Sequence, residues 1–113
     1  EPKVSVSKVS IRPKRAVMGS SVKIAFEVTN TDVKIQRLLV DFRVHFMKAN
    51  GKPSPKVFKL KAVELAPRET VQLAKTLSLA EMTTRKHYPG AHLVEIVLNG
   101  HTTPLGKFEL VRA

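Results

Sequence analysis

Four histidines and two carboxylates, Asp41 and Glu95, are the side chains of this sequence that first raise the question of catalysis or metal binding. His45, His87, His92 and His101 show no HxH or HExxH spacing, so a metal site would require tertiary coincidence. Cysteine is absent, which removes disulfide, thiolate and Cys-type zinc chemistry together. His45 alternates to the outside of its strand and reads as a surface residue, while His92, at a strand start, reads as a packing residue. Asp41 and Glu95 fall near Arg43 on neighbouring strands, where a cross-strand charge pair accounts for them better than an acid/base dyad. With no glycine-rich phosphate loop, nucleophile elbow or Cys/His arrangement, the expectation is a non-enzymatic domain without metal or cofactor.

Positive charge is the chemistry the chain does carry. Twenty Lys and Arg against nine Asp and Glu give +11, more than solubility requires, and such an excess points to a polyanion, nucleic acid first. The plain alternative is a solvated surface whose lysines guard sheet edges and keep the protein monomeric. Five Phe and one Tyr, mostly needed for a core, leave little material for stacking single-stranded bases. No apolar run reaches the length of a membrane-spanning helix. The lack of cysteine favours the cytoplasm, and a beginning, EPKVSVSKV, with neither initiator Met nor apolar leader leads us to expect a domain excised from a larger protein.

The elements that must position those charges follow a period of two throughout, and residues 1–113 suit one domain. A first strand is expected over residues 4–11, where the apolar positions change phase between Val6 and Val9 as a bulge would require. Further strands are expected over residues 21–29, 37–48, 56–65, 70–77, 91–98 and 105–111, with Asn50-Gly51 and Asn99-Gly100 as hairpin turns. Lys75 interrupts the apolar side of the fifth strand, implying a bulge or an edge, and Pro104 makes the last strand begin late or lie at an edge. Ser78 and Glu81 fit a capping box, predicting one short helical turn over residues 79–84 before the sixth strand. About seven antiparallel strands with such a crossover describe an all-β, immunoglobulin-like (fibronectin III-like) β-sandwich, with a barrel as the second solution and Tyr88 placed for a tyrosine corner.

In a sandwich of that order the turns after strands one, three and five share a pole. They bring together Arg12, Lys14, Arg15, Lys48, Lys52, Lys56, Arg85 and Lys86, with His87 beside them and only Glu81 opposing. The opposite pole holds Lys34, Arg37 and Arg68 against Asp32 and Glu69. Sequence-independent contact with duplex DNA phosphates is the expectation for the first pole; a merely solvated loop is the alternative for Arg85 and Lys86. Leu39, Met47, Leu93, Val97 and Val111 alternate outward on adjacent strands, forming a candidate docking patch if exposed and ordinary second-layer packing if covered.

The segments VDFRVHFMKANGKPSPKVFKLK at residues 40–61 and MTTRKHYPGAHLVEIVLNG at residues 82–100 resemble the C-terminal β domain appended to some bacterial DNA alkylation repair proteins. The match runs from residue 36 to residue 111. In that family the preceding domain is similar to the HEAT-repeat alkylpurine DNA glycosylases, which cleave the N-glycosidic bond of alkylated bases. The resemblance implies an accessory domain from the C-terminus of such a protein, with a HEAT-repeat catalytic domain in the same chain and DNA as its partner. None of the catalytic residues of that family falls within this sequence.

Overall fold

In a computed structural model of the chain, which describes residues 1–81 and 86–113, the alternating runs become eight strands. They are β1 (Val4–Arg12), β2 (Arg15–Val17), β3 (Ser21–Asn30), β4 (Gln36–Met47), β5 (Pro53–Leu65), β6 (Thr70–Ser78), β7 (Gly90–Leu98) and β8 (His101–Val111). A three-stranded sheet of order β1-β3-β6 packs on a five-stranded sheet of order β2-β8-β7-β4-β5. Val22, Ile24, Phe26 and Val28 of β3 and Leu38, Val40, Phe42, Val44 and Phe46 of β4 are buried between the layers. Each such side chain contributes about 1.5–3 kcal/mol by leaving water. Phe58 of β5 extends this core by stacking on Phe42 with ring centroids 4.8 Å apart.

The bulge expected in the first strand is present as a register shift between Ser7 and Ser10, with Lys8 at φ 51°. Lys75 lies on an edge strand, β6, whose register with β3 is unbroken, so the edge rather than the bulge explains it. Asn99-Gly100 makes the β7–β8 turn with φ of 48° and 83°, the left-handed pair a type I′ hairpin needs.

Several expectations are corrected. Pro13 offers no N–H to the ladder, so the chain leaves β3 there, crosses to the other sheet and continues as β2, parallel to β8; this makes the eighth strand. Strands β5 and β8 begin earlier than expected, at Pro53 and His101, because β5 is an edge strand and β8 has no second neighbour before Glu109, so a missing N–H leaves no partner unpaired. The helical turn is not formed by residues 79–81. Leu79 is fully buried, its N–H donates to the Ser20 carbonyl at 2.8 Å and its carbonyl accepts from Gly19 N–H at 3.1 Å, so extended pairing wins over the capping box. Residues 82–84 of that turn lie outside the described residues. The hydroxyl of Tyr88, half-buried two residues before β7, makes no tyrosine-corner hydrogen bond among the described residues. Among those residues no helix is long and apolar enough to cross a membrane.

The molecule is elongated, 48 × 22 × 20 Å, and its turns collect at two poles. Residues 1–3 and the turns at 31–35, 66–69 and 99–100 form the proximal pole; the turns at 18–20 and 48–52, with residues 79–81 and 86–89, form the distal pole. Asn30, wholly buried, organises the proximal one. Its side-chain amide donates to the carbonyls of Lys34 (2.8 Å) and Leu65 (3.0 Å), and its oxygen accepts from Asp32 N–H (2.8 Å) and the Gln36 amide (2.6 Å). Its backbone meanwhile pairs with Glu69 and Arg68 across the β5–β6 turn. Every donor and acceptor of this residue is therefore used.

The distal pole is closed by rings instead. His87 and His92 are both buried, with Phe46 5.6 Å from each and Phe108 5.0 Å from His92. His92 Nδ1 faces the Gly90 carbonyl at 3.0 Å, while its Nε2 is buried without a partner among the described residues. Burial, aided by the neighbouring His87, holds the His92 pKa below the ordinary imidazole value against the Gly90 carbonyl, which pulls the other way.

Each pole generates an expected outcome. Asn30→Ala leaves two carbonyls and two N–H groups to find new partners and should cost about 2–4 kcal/mol in urea unfolding. Folded His92 takes up its proton less readily than unfolded His92, so below about pH 6.5 the unfolded chain binds more protons and stability falls as pH falls. Unfolding midpoints measured between pH 7.5 and 5.5 should therefore decline in the natural chain, and His92→Leu should flatten that decline.

Candidate nucleic-acid interface

Seven of the eight cations singled out from the sequence are among the described residues; Arg85 is outside them. Lys48 and Lys52 sit at the distal tip, where Lys48 N–H donates to the Lys52 carbonyl at 3.1 Å and closes the β4–β5 hairpin. Lys86 is exposed immediately before His87. Arg12, Lys14 and Arg15 are exposed along the crossing from β1 to β2, on the flank of the distal half rather than at its tip. Lys56 stands further down β5, opposite Val44, with its ammonium 5.9 Å from the centre of the Phe58 ring.

The structure thus places these side chains in one half of the molecule but divides them between two edges. β2 and β5 are the outer strands of the five-stranded sheet, four interstrand steps or about 19 Å apart. No single phosphate could meet both groups; they would address different phosphates along a backbone. None of the seven makes an ion pair with a described residue, the pairs present being Lys8–Glu27, Arg37–Glu64, Arg43–Glu95 and His45–Glu95.

Three details of the sequence reading change. Glu81 is not the sole opposing carboxylate, because the parallel pairing of β2 sets Glu109 in register with Arg15. The same half gains a cation in Lys23, the register partner of Arg12. His87, expected beside the basic loop, is only 3% exposed and turns inward onto Phe46, where its ring packs on the aromatic one at 5.6 Å between centroids.

The candidate docking residues lie on the outer face of the five-stranded sheet. Leu39 and Leu93 are 63% and 50% exposed, whereas Met47, Val97 and Val111 are half-buried. They do not join into one patch. Val97 pairs with Asp41, Leu93 with His45, and between those rows Glu95 accepts from Arg43 at 2.9 Å and contacts His45 at 2.5 Å. The hydrogen bond with His45, followed by Arg43, holds the Glu95 carboxyl below its ordinary pKa. Of the two carboxylates expected near Arg43, Glu95 makes the cross-strand charge pair, enlarged by His45, which is a partner in the cluster rather than a free surface residue, while Asp41 makes no ion pair with a described residue. No group of three or more metal-ligating side chains occurs among the described residues.

Two features were not singled out from the sequence at all: the buried amide of Asn30 and the exposure of Val33 and Ile35 in the adjoining loop. Branched apolar residues inside an otherwise polar connection were the available signal for the second.

Comparison with known proteins accords with the Ig-like fold. The family model described as the C-terminal Ig-like domain of the uncharacterised protein YhaZ matches residues 5–112. YhaZ of Bacillus subtilis (strain 168) is 30% identical over 97 residues, 86% of this chain and 27% of that protein. The Pseudomonas fluorescens alkylpurine DNA glycosylase AlkC, solved bound to DNA containing an abasic site analogue, superimposes with a TM-score of 0.92 at 33% identity, over 98% of this chain and 31% of its own. A Listeria innocua β-glucosidase in complex with gluconolactone matches at a TM-score of 0.74 and 16% identity, over 95% of this chain and 16% of its own, a likeness of fold alone. The chain spans less than a third of the length of each of these relatives. The resemblance carried by residues 40–61 and 82–100 accordingly stands, and the chain belongs to the family of YhaZ C-terminal Ig-like domains.

Proposed function

We propose that this domain is a non-catalytic accessory module of a larger cytoplasmic DNA alkylation repair protein. Its distal half contacts the phosphate backbone of duplex DNA beside the site handled by the catalytic domain of the same polypeptide, without reading sequence. The observation that carries the proposal is a set of cations that pair with no described carboxylate, Lys48, Lys52 and Lys86 with Arg12, Lys14 and Arg15, gathered in one half of a +11 chain. The 33% identity to a part of a glycosylase solved on DNA supports the same reading. An N-glycosidic activity belongs, in this proposal, to the preceding domain.

Docking through the outer face of the five-stranded sheet, the second reading of the sequence, is less well supported, because the Arg43–Glu95–His45 cluster divides its apolar residues. A partner covering that face would have to desolvate the cluster.

Duplex binding across a salt series tests the proposal. Four phosphate contacts should give a slope of log affinity against log salt near −3.6. Lys48→Glu combined with Lys52→Glu should weaken binding to all sequences alike and reduce that slope by about two, while Arg68→Glu at the proximal pole leaves both unchanged. Salt-insensitive binding, or a doubly reversed variant that binds as well as the natural chain, would remove the distal half from consideration.

A further inference from the structure

The three most exposed large apolar side chains among the described residues are Val33 (78%), Leu39 (63%) and Ile35 (61%). All three belong to the β3–β4 loop or the start of β4, at the pole opposite the cations. Leu39 continues into a shallow groove lined by Arg37, Ala62, Val63 and Glu64.

An exposed loop of this kind would ordinarily be left loose, yet this one is fixed along its length. Asn30 binds Asp32 N–H and the Lys34 carbonyl, and Asp32 Oδ1 accepts from Val33 N–H at 2.7 Å. Gln36, itself hydrogen-bonded to Asn30, clasps Lys3 by accepting from its N–H at 3.0 Å and donating to its carbonyl at 2.5 Å. The same Lys3 carbonyl accepts from Thr31 N–H at 3.1 Å. The segment leading into β1 is thereby tied to both ends of the loop that displays Val33 and Ile35. Apolar side chains held on a preordered backbone lose little further entropy when covered, which favours binding.

We infer that Val33, Ile35 and Leu39 form the seat for an apolar surface of the domain that precedes this one in the same polypeptide. The inference rests on the reading above, that the chain is part of a larger protein. The matched family describes a C-terminal domain, and the chain accounts for 27% of the YhaZ polypeptide. Chain arriving at Lys3 lies one hydrogen bond from Thr31 and two residues, about 7 Å, from Val33. The preceding domain is therefore tethered next to the seat at high effective concentration, so a modest apolar contact suffices to hold it.

Cysteine labelling in the polypeptide as its gene encodes it provides the test, because these 113 residues contain no cysteine of their own. Ile35→Cys and Leu93→Cys are made singly, exposed to a maleimide, and followed by mass spectrometry of the peptide that carries each. Ile35→Cys should react at least ten-fold more slowly than Leu93→Cys, independently of protein concentration, and adding Val33→Glu should restore its rate. Equal rates, or slow reaction at residue 93 instead, would overturn the inference, as would protection at residue 35 that fades on dilution, the behaviour of a second copy on the seat. A polypeptide with no preceding domain would overturn the parent reading as well, whereas free labelling at residue 35 beside an intact DNA salt slope would overturn this inference alone.

Discussion

The amide of Asn30 ties together both places where the chain crosses between sheets at the proximal pole. One side chain holds the β3–β4 loop through Lys34 and Asp32 and the end of β5 through Leu65, while its backbone anchors the β5–β6 turn. The stagger of one sheet on the other depends on this residue, because β3 and β4 supply the central buried rows of the two layers. A buried amide with every bond made costs little to keep, but each bond lost leaves a polar group stranded away from water. The position therefore specifies a unique geometry as much as it stabilises one.

Ring packing and backbone pairing close the distal pole, through the rings of His87, His92, Phe46 and Phe108 and the hydrogen bonds of Leu79 with residues 19 and 20. Because the fold at that end draws on apolar and backbone interactions, its lysines and arginines are not consumed in holding it together. Their mutual repulsion opposes compaction mildly and is relieved when an anion arrives. Charge that does serve the fold is found elsewhere, in Arg43–Glu95–His45 across β4 and β7 and in Arg37–Glu64 across β4 and β5.

Most of the architecture was legible because it is local. Alternation in β3, β4 and β7, the phase change between Val6 and Val9, and Asn-Gly at residues 99 and 100 each encode a piece of backbone within a few residues of itself. What depended on distant pairing was not legible. β2 is three residues long, too short to show a period, and only its parallel contact with β8 sets Glu109 beside Arg15. The capping box at Ser78 and Glu81 was a sound local signal overruled by the burial of Leu79. His87 looked like part of a basic loop because a sequence does not show which way a ring turns. Asn30 gave no signal of its burial, since asparagine favours turns whether buried or not. The candidate cations could be named from their turns, but their division between two edges follows from strand order alone.

The parallel ladder of β2 on β8 bears on how the domain responds to force. Residues 1–3 leave from one pole and Arg112 from the other, so a pull between them runs along the strand axes. The β1–β3, β2–β8 and β7–β8 ladders would then be loaded lengthwise, with all their hydrogen bonds sharing the tension at once instead of unzipping in turn. Under stretch the module behaves as a stiff strut, which transmits displacement from one end to the other without first yielding in the middle.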